Sequence, residues 1–294
     1  MFQGSIVALV TPMDEAGELD LEALRSLISW HLEQGSDALV VAGTTGEGAT
    51  LTDDEFGQLV AAAVEQVAGR VPVVAGTGCV DTARVIHLTR MASAAGAEAA
   101  LVVTPYYVRP MQSGLEAHYR AVAEASDIPL VLYNVPSRTA VDLLPDTVAR
   151  LAGHDNIVAI KEASGDMQRI DELLERCGHR MTVLSGDDPS CLQAMTRGAR
   201  GVVSVAANVV PARFHAMCAD ALGGQAARAA EVNAELGALY RILAVESNPI
   251  PVKWAVSEMG RIGPAIRLPL LPFAETHRKV ARDCLRELGV LGAP

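Results

Sequence analysis

Cationic side chains, cysteines and long apolar runs are all in short supply in this sequence, and each shortage rules something out. Only 24 Lys and Arg stand against 35 Asp and Glu in 294 residues, a formal net charge of -11. A chain of that sign is not expected to bind nucleic acid or an anionic membrane. The five cysteines (Cys79, Cys177, Cys191, Cys218, Cys284) are odd in number and form no C-x-x-C pair, which argues against a disulfide framework or a zinc site. The seven histidines (His31, His87, His118, His154, His179, His215, His277) show no H-E-x-x-H and no close pairing, so no catalytic metal is expected. No stretch approaches the ~18 apolar residues of a membrane span. The opening "MFQGSIVALVTPMDE" lacks a basic start, and its apolar run is too short for a signal peptide. No glycosylation sequon, no G-x-x-x-x-G-K-[ST] phosphate loop and no G-x-S-x-G elbow occurs, and Ser185 and Ser204 have no evident histidine partner. A soluble cytoplasmic protein is the expectation.

What is present is a regular alternation. Eight short runs rich in β-branched residues recur: "SIVALV", "DALVVAG", "VPVVAG", "AALVVT", "PLVLYNV", "NIVAIK", "MTVLS" and "GVVSV". They are nearly continuous in apolar residues, as strands covered on both faces must be. Helix-period segments separate them. Leu21, Leu24, Leu27 and Ile28 form one stripe; Phe56, Leu59, Val60, Ala63, Val64 and Val67 form another, opened by a Thr52–Glu55 capping box. Val85, Leu88 and Ala92 lead to Gly96, and Ile170, Leu173, Leu174 and Cys177 to Gly178. Eight such units over roughly 220 residues predict a (β/α)₈ barrel. An open doubly wound sheet is the alternative, and the missing glycine-rich dinucleotide fingerprint weighs against it. After about Leu222 no strand is expected. "AARAAEVNAELGALYRILAVE" and "AETHRKVARDCLRELG" read as helices separated by "SNPIPVKWAVSEMGRIG". The predicted organisation is a barrel over residues 1–224 and a C-terminal helical extension over residues 225–294, packed on it.

In a barrel of this kind the chemistry sits where strands end. The unusual polar clusters fall there: "GTTGE" (43–47), "TPYY" (104–107), "YNVPSRT" (133–139), "KEASG" (161–165), "SGDD" (185–188) and "SVAAN" (204–208). Lys161 ends an apolar strand, where desolvating an ammonium group is costly. Two readings fit it equally: an amine nucleophile that forms a Schiff base with a ketone or aldehyde, or half of an ion pair with Glu162 or another strand-end carboxylate. Tyr133, one strand away, is either a phenol that moves protons during imine formation or a core tyrosine. Thr44 and Thr45, between two glycines and ahead of a helix, form either a carboxylate-binding nest or a tight turn. Arg138 either grips a carboxylate bidentately or is a solvated loop residue. Tyr106 and Tyr107 read as exposed or interface side chains.

Taken in order, "GSIVALVTPMDE", "GTTGE", "VTPYY", "LYNVPSRT", "IKEASG", "SGDD", "VSVAAN" and "ESNPIPVKWA" make the chain resemble, over nearly its whole length, the dihydrodipicolinate synthase (4-hydroxy-tetrahydrodipicolinate synthase) family of the lysine and diaminopimelate pathway. That family lies in the superfamily of N-acetylneuraminate lyase and other pyruvate-dependent class I aldolases. The arginine of "YNVPSRT" favours the synthase over N-acetylneuraminate lyase, which shares the lysine and tyrosine. The resemblance implies a TIM barrel and a Schiff base between Lys161 and pyruvate. It makes Tyr133, Thr44 and Tyr107 a proton relay, with Tyr107 reaching in from the partner subunit. Thr45 would hold the pyruvate carboxylate, Gly186 and the Val203 carbonyl would line the pocket, and Arg138 would bind aspartate 4-semialdehyde. It further implies a homotetramer, a dimer of dimers. The imine nitrogen serves as the electron sink, so no metal or organic cofactor is expected. Another pyruvate-dependent lyase, or a catalytically silent paralogue with a regulatory role, are the alternatives; the joint presence of Lys161, Tyr133, Thr44, Tyr107 and Arg138 speaks against the silent one.

The sequence departs from the pattern at the family's lysine-feedback site. Members inhibited by lysine carry a carboxylate at position 84, an amide at 80, a histidine at 56 and a serine at 48; here Arg84, Val80, Phe56 and Gly48 occupy those positions. A cationic ligand would meet an arginine where it needs an anion. Weak or absent inhibition by lysine is the expectation; a remodelled site that binds lysine through other groups is the alternative. Val108, where asparagine is common, is a second departure, at the interface.

Overall fold

The computed structural model describes residues 2–292. The eight predicted strand runs are strands: β1 Gly4–Ala8, β2 Ala38–Val41, β3 Val73–Gly76, β4 Ala99–Val103, β5 Leu130–Asn134, β6 Ile157–Glu162, β7 Thr182–Ser185 and β8 Gly201–Ser204. They pair in sequence order, all parallel, and β8 closes on β1. The architecture is a (β/α)₈ TIM barrel with helices C-terminal to it.

Alternation along each strand sorts the apolar residues into two layers. Ile6, Ala8, Val40, Leu101, Val131, Leu184 and Val203 point inward and fill the barrel, with Phe2 in the same cluster. The residues between them, such as Val7, Leu39, Leu132 and Ile160, point outward against the helices. Because both faces are buried, the strands read as unbroken apolar runs.

The first three α-helices begin where side chains satisfy free amides of the first turn. Asp20 accepts from Ala23 N (2.9 Å) before helix 21–33, and Asp81 accepts from Arg84 N (2.9 Å) before helix 82–94. The Thr52–Glu55 capping box is formed in both directions, at 3.3 and 2.8 Å.

Three helices follow the last barrel helix: Ala226–Leu243, Ile250–Glu258 and Glu275–Glu287. The middle one corrects the expectation that "SNPIPVKWAVSEMGRIG" only separates two helices: the segment is itself helical over Ile250–Glu258. Pro251 sits in its first turn, where the missing N–H has no helical partner to lose. The helix is buried on most sides, through Pro251, Val252, Lys253, Ala255 and Val256, so it has no polar face to betray a helical period. Leu239, Leu243, Val252 and Leu285 from these helices share one apolar cluster with Phe214 and Met217 of the barrel. No described helix is long and apolar enough to cross a membrane.

Candidate active site

The site sits at the C-terminal ends of β5, β6 and β7. In the register of β5 and β6, Tyr133 lies beside Lys161 and Asn134 beside Glu162. Consecutive strand residues face opposite ways. Tyr133 and Lys161 therefore turn into the barrel together, while Asn134 and Glu162 turn out together. Lys161 is 5 % exposed, with Nζ 4.2 Å from the centroid of the Tyr133 ring. No carboxylate stands within ion-pairing distance of Nζ among the described residues.

Glu162 is not the lysine's partner. Its Oε2 accepts from Asn134 Nδ2 at 3.0 Å and its Oε1 from Ser164 N at 2.8 Å. Asn134 also donates to Asp142 (2.9 Å), which Arg169 grips through both guanidinium nitrogens at 2.8 and 2.9 Å. Burial raises the Glu162 carboxyl above its usual range, and the bonds from Asn134 and Ser164 oppose that shift. The Arg169 guanidinium holds Asp142 below its usual range. This chain of groups binds the outer faces of β5 and β6 to each other and leaves the lysine on the inner face unpaired.

Gly186, just past β7, makes room for the amine. A Cβ there would stand 2.7 Å from both Lys161 Cε and Ala163 Cβ, closer than van der Waals contact permits. Val203 on β8 is 2 % exposed in the same interior cluster as Tyr133. A cavity of about 440 Å³ opens above, lined by Gly43, Thr44, Tyr133, Arg138 and Asn248, and runs on to Arg84. Lys161 is not on its wall but adjoins it through the Tyr133 ring, a placement sheltered from bulk water. Arg138 is exposed at the mouth on the short helix Pro136–Thr139, with no ion-pair partner among the described residues. Thr44 is exposed to the cavity, whereas Thr45 is buried and accepts a hydrogen bond from Asn248 Nδ2 at 3.0 Å.

Of the residues singled out in the sequence, Lys161, Tyr133 and Gly186 are brought into contact, Thr44 and Arg138 line the adjoining cavity, and Thr45 and Val203 lie behind it. Tyr107 is not brought to the site within one chain: it is 87 % exposed, with a left-handed backbone (φ 72°). Its neighbour Tyr106 lines the cavity instead. Sequence reading missed the Asn134–Glu162 contact, which strand alternation on β5 and β6 could have exposed. It also missed Asn248, Lys253 and the buried Glu47, which no local pattern connects. No cluster of three or more metal-ligating side chains occurs among the described residues.

The chain matches the dihydrodipicolinate synthetase family over residues 1–288. It is 50% identical over 290 residues to the 4-hydroxy-tetrahydrodipicolinate synthase of Thioalkalivibrio sulfidiphilus, covering 99% of each chain. Its backbone is similar to the chloride-inhibited dihydrodipicolinate synthase of Acinetobacter baumannii, solved in complex with pyruvate, with a TM-score of 0.98, 47% identity and 99% of this chain and 100% of that one covered. The enzyme of Aquifex aeolicus is similar too, with a TM-score of 0.96 and 46% identity over 98% of this chain and 99% of that one.

Proposed function

The chain belongs to the dihydrodipicolinate synthetase family, and from that membership we propose how its side chains do the work. The activity is that of a 4-hydroxy-tetrahydrodipicolinate synthase, a Schiff-base lyase of lysine and diaminopimelate biosynthesis that joins pyruvate to L-aspartate 4-semialdehyde. In our scheme the Lys161 amine adds to C2 of pyruvate, and loss of water gives an iminium ion. Removal of a C3 proton makes the enamine, whose C3 attacks the aldehyde carbon of the second substrate. The amine of that substrate then displaces Lys161 from C2, closing the ring and returning the lysine with its proton.

The remaining groups have the following parts. Tyr133 passes protons to and from the carbinolamine, with Thr44 and a partner subunit's copy of Tyr107 completing the relay. Thr45 and the amides of its turn hold the pyruvate carboxylate. Gly186 and the Val203 carbonyl bound the pocket, and Arg138 takes the carboxylate of the aldehyde substrate. The barrel over residues 1–224 supplies every reacting group and the extension over residues 225–294 none. The setting is the cytoplasm. The assembly is a homotetramer, a dimer of dimers; what supports it is Tyr107, strained and exposed beside the exposed Val108 and Met111, a surface that suits a partner.

The observation that carries the reading is the Lys161 amine, buried, unpaired and 4.2 Å from the Tyr133 ring. A coupled assay with pyruvate and L-aspartate 4-semialdehyde tests it against other pyruvate-dependent aldolases. Efficient turnover of this pair, and not of an N-acylated sugar aldehyde, is expected; the reverse preference would refute the scheme.

Inhibition by lysine is proposed to be weak or absent. Arg84, where an anion is needed, is itself committed to Asp53 through both terminal nitrogens. Gly48 has no room for a serine: a Cβ there would stand 1.9 Å from the Ala42 carbonyl oxygen. Strong inhibition by millimolar lysine would contradict this.

A further inference from the structure

The turn that carries Thr44 and Thr45 is held from the far end of the chain. Its last residue, Glu47, has a left-handed backbone (φ 54°) and a side chain wholly shut off from solvent. Glu47 Oε1 accepts from Lys253 Nζ, and Oε2 accepts from the Arg267 backbone N–H at 3.0 Å. Asn248 Nδ2 meets Thr45 Oγ1 at 3.0 Å. Thr11 Oγ1 donates to the Gly46 carbonyl at 2.6 Å from the opposite side. Gly46 and Gly48 leave no slack, since a Cβ on either would approach neighbouring backbone to 3.0 or 1.9 Å.

A buried ion pair is a costly way to fasten a helix to a loop, because two apolar side chains of equal volume would do so with no desolvation. What the pair adds is direction. The ammonium and the Arg267 amide together fix both carboxylate oxygens, hence the plane of Glu47 and the path of the turn before it. Asn248 occupies an acceptor lone pair of Thr45, which leaves that hydroxyl's proton for another oxygen. Burial lowers Lys253 from its usual range, and the Glu47 carboxylate opposes that shift.

We propose that Asn248 and the Lys253–Glu47 pair are positioning residues for pyruvate: from the C-terminal segment they set the Thr44–Thr45 turn and aim the Thr45 hydroxyl at the keto acid's carboxylate. This rests on the reading of that turn as the carboxylate site. The C-terminal helices then govern affinity for the first substrate without touching it.

The test compares Thr45→Val, Asn248→Ala, the double variant Lys253→Met/Glu47→Gln, and Thr45→Val/Asn248→Ala. The readouts are the pyruvate concentration that half-saturates borohydride trapping on Lys161, kcat and both KM values, and Tm. Asn248→Ala and the Lys253/Glu47 variant are expected to raise half-saturating pyruvate and its KM about tenfold, the value of one lost hydrogen bond to a charged group. The KM for aspartate 4-semialdehyde stays unchanged. If Asn248 acts through Thr45, adding Asn248→Ala to Thr45→Val makes matters no worse. A raised KM in Thr45→Val, with folded Asn248 and Lys253/Glu47 variants at the parent KM, overturns the proposal. An unchanged KM in Thr45→Val refutes the carboxylate site itself. If the Lys253/Glu47 variant does not fold, Asn248→Ala decides alone, since it removes only one neutral amide.

Discussion

Two lysines lie almost wholly inside this protein, and their surroundings could hardly differ more. Lys161 is 5 % exposed at the end of a barrel strand, against a tyrosine ring, with no counter-ion among the described residues; Lys253 is 2 % exposed on a C-terminal helix and bonded to the buried carboxylate of Glu47. Burial alone therefore does not make a nucleophile. A carboxylate at bonding distance holds the Lys253 amine in one place, whereas the Lys161 amine, with no such partner among the described residues, is left available to a substrate carbonyl. The barrel secures the free state of Lys161 by turning Glu162 outward onto Asn134. The C-terminal segment secures the bound state of Lys253 by meeting Glu47 at the end of the Thr44–Thr45 turn.

Each lysine replaced by methionine separates the two roles. Lys161→Met should lower kcat/KM on the order of 10⁴-fold or more while Tm barely moves, because no ion pair is broken. Lys253→Met should instead cost stability, ~3–5 kcal/mol, because Glu47 is left buried and unpaired. Thermal melting should register that as a drop of about 10 °C, and adding Glu47→Gln should restore most of it. A Lys161→Met protein that unfolds, or a Lys253→Met protein as stable as the parent, would erase the distinction.

Smaller effects sharpen the contrast. Gly186→Ala pushes a methyl group into Lys161 Cε and should reduce kcat/KM roughly ten- to a hundredfold, the rate equivalent of ~1–3 kcal/mol of overpacking, with the fold intact by circular dichroism. The C-terminal segment makes a second ion pair, Arg267 with Glu55, whose guanidinium lowers that carboxyl from 4.5 to about 2. A depressed carboxyl stabilises the fold above its unfolded value and loses that contribution as pH falls through the folded one. The Tm gap between the parent and Glu55→Gln should thus be full at pH 7 and close between about pH 4.5 and pH 2. A gap that stays constant across that range would show that the pair contributes nothing electrostatic.

The barrel was legible because its rules are local. Doubly buried strands must be apolar throughout, and capping residues such as Thr52 mark where helices start. Lys161 stood out for the same reason, a charge at the end of "NIVAIK". The helix Ile250–Glu258 was hidden by Pro249 at its N-cap, by Pro251 in its first turn and by burial that removes the polar face. Lys253 and Glu47 are 206 residues apart, and nothing in either stretch names the other. The bond of Asn134 to Glu162 exists only because β5 and β6 align at that register, which no single stretch of sequence shows. Tyr107 is 87 % exposed in the single chain, so nothing local to it ties it to the site.

The central claim is that Lys161, alone among the buried amines, captures the keto acid. Borohydride reduction in the presence of pyruvate, followed by digestion and mass mapping, measures this directly. One reduced pyruvyl group on the peptide containing Lys161, and none on the peptide containing Lys253, is the predicted result. An unmodified Lys161 peptide after complete reduction, or the adduct on another lysine, would contradict it.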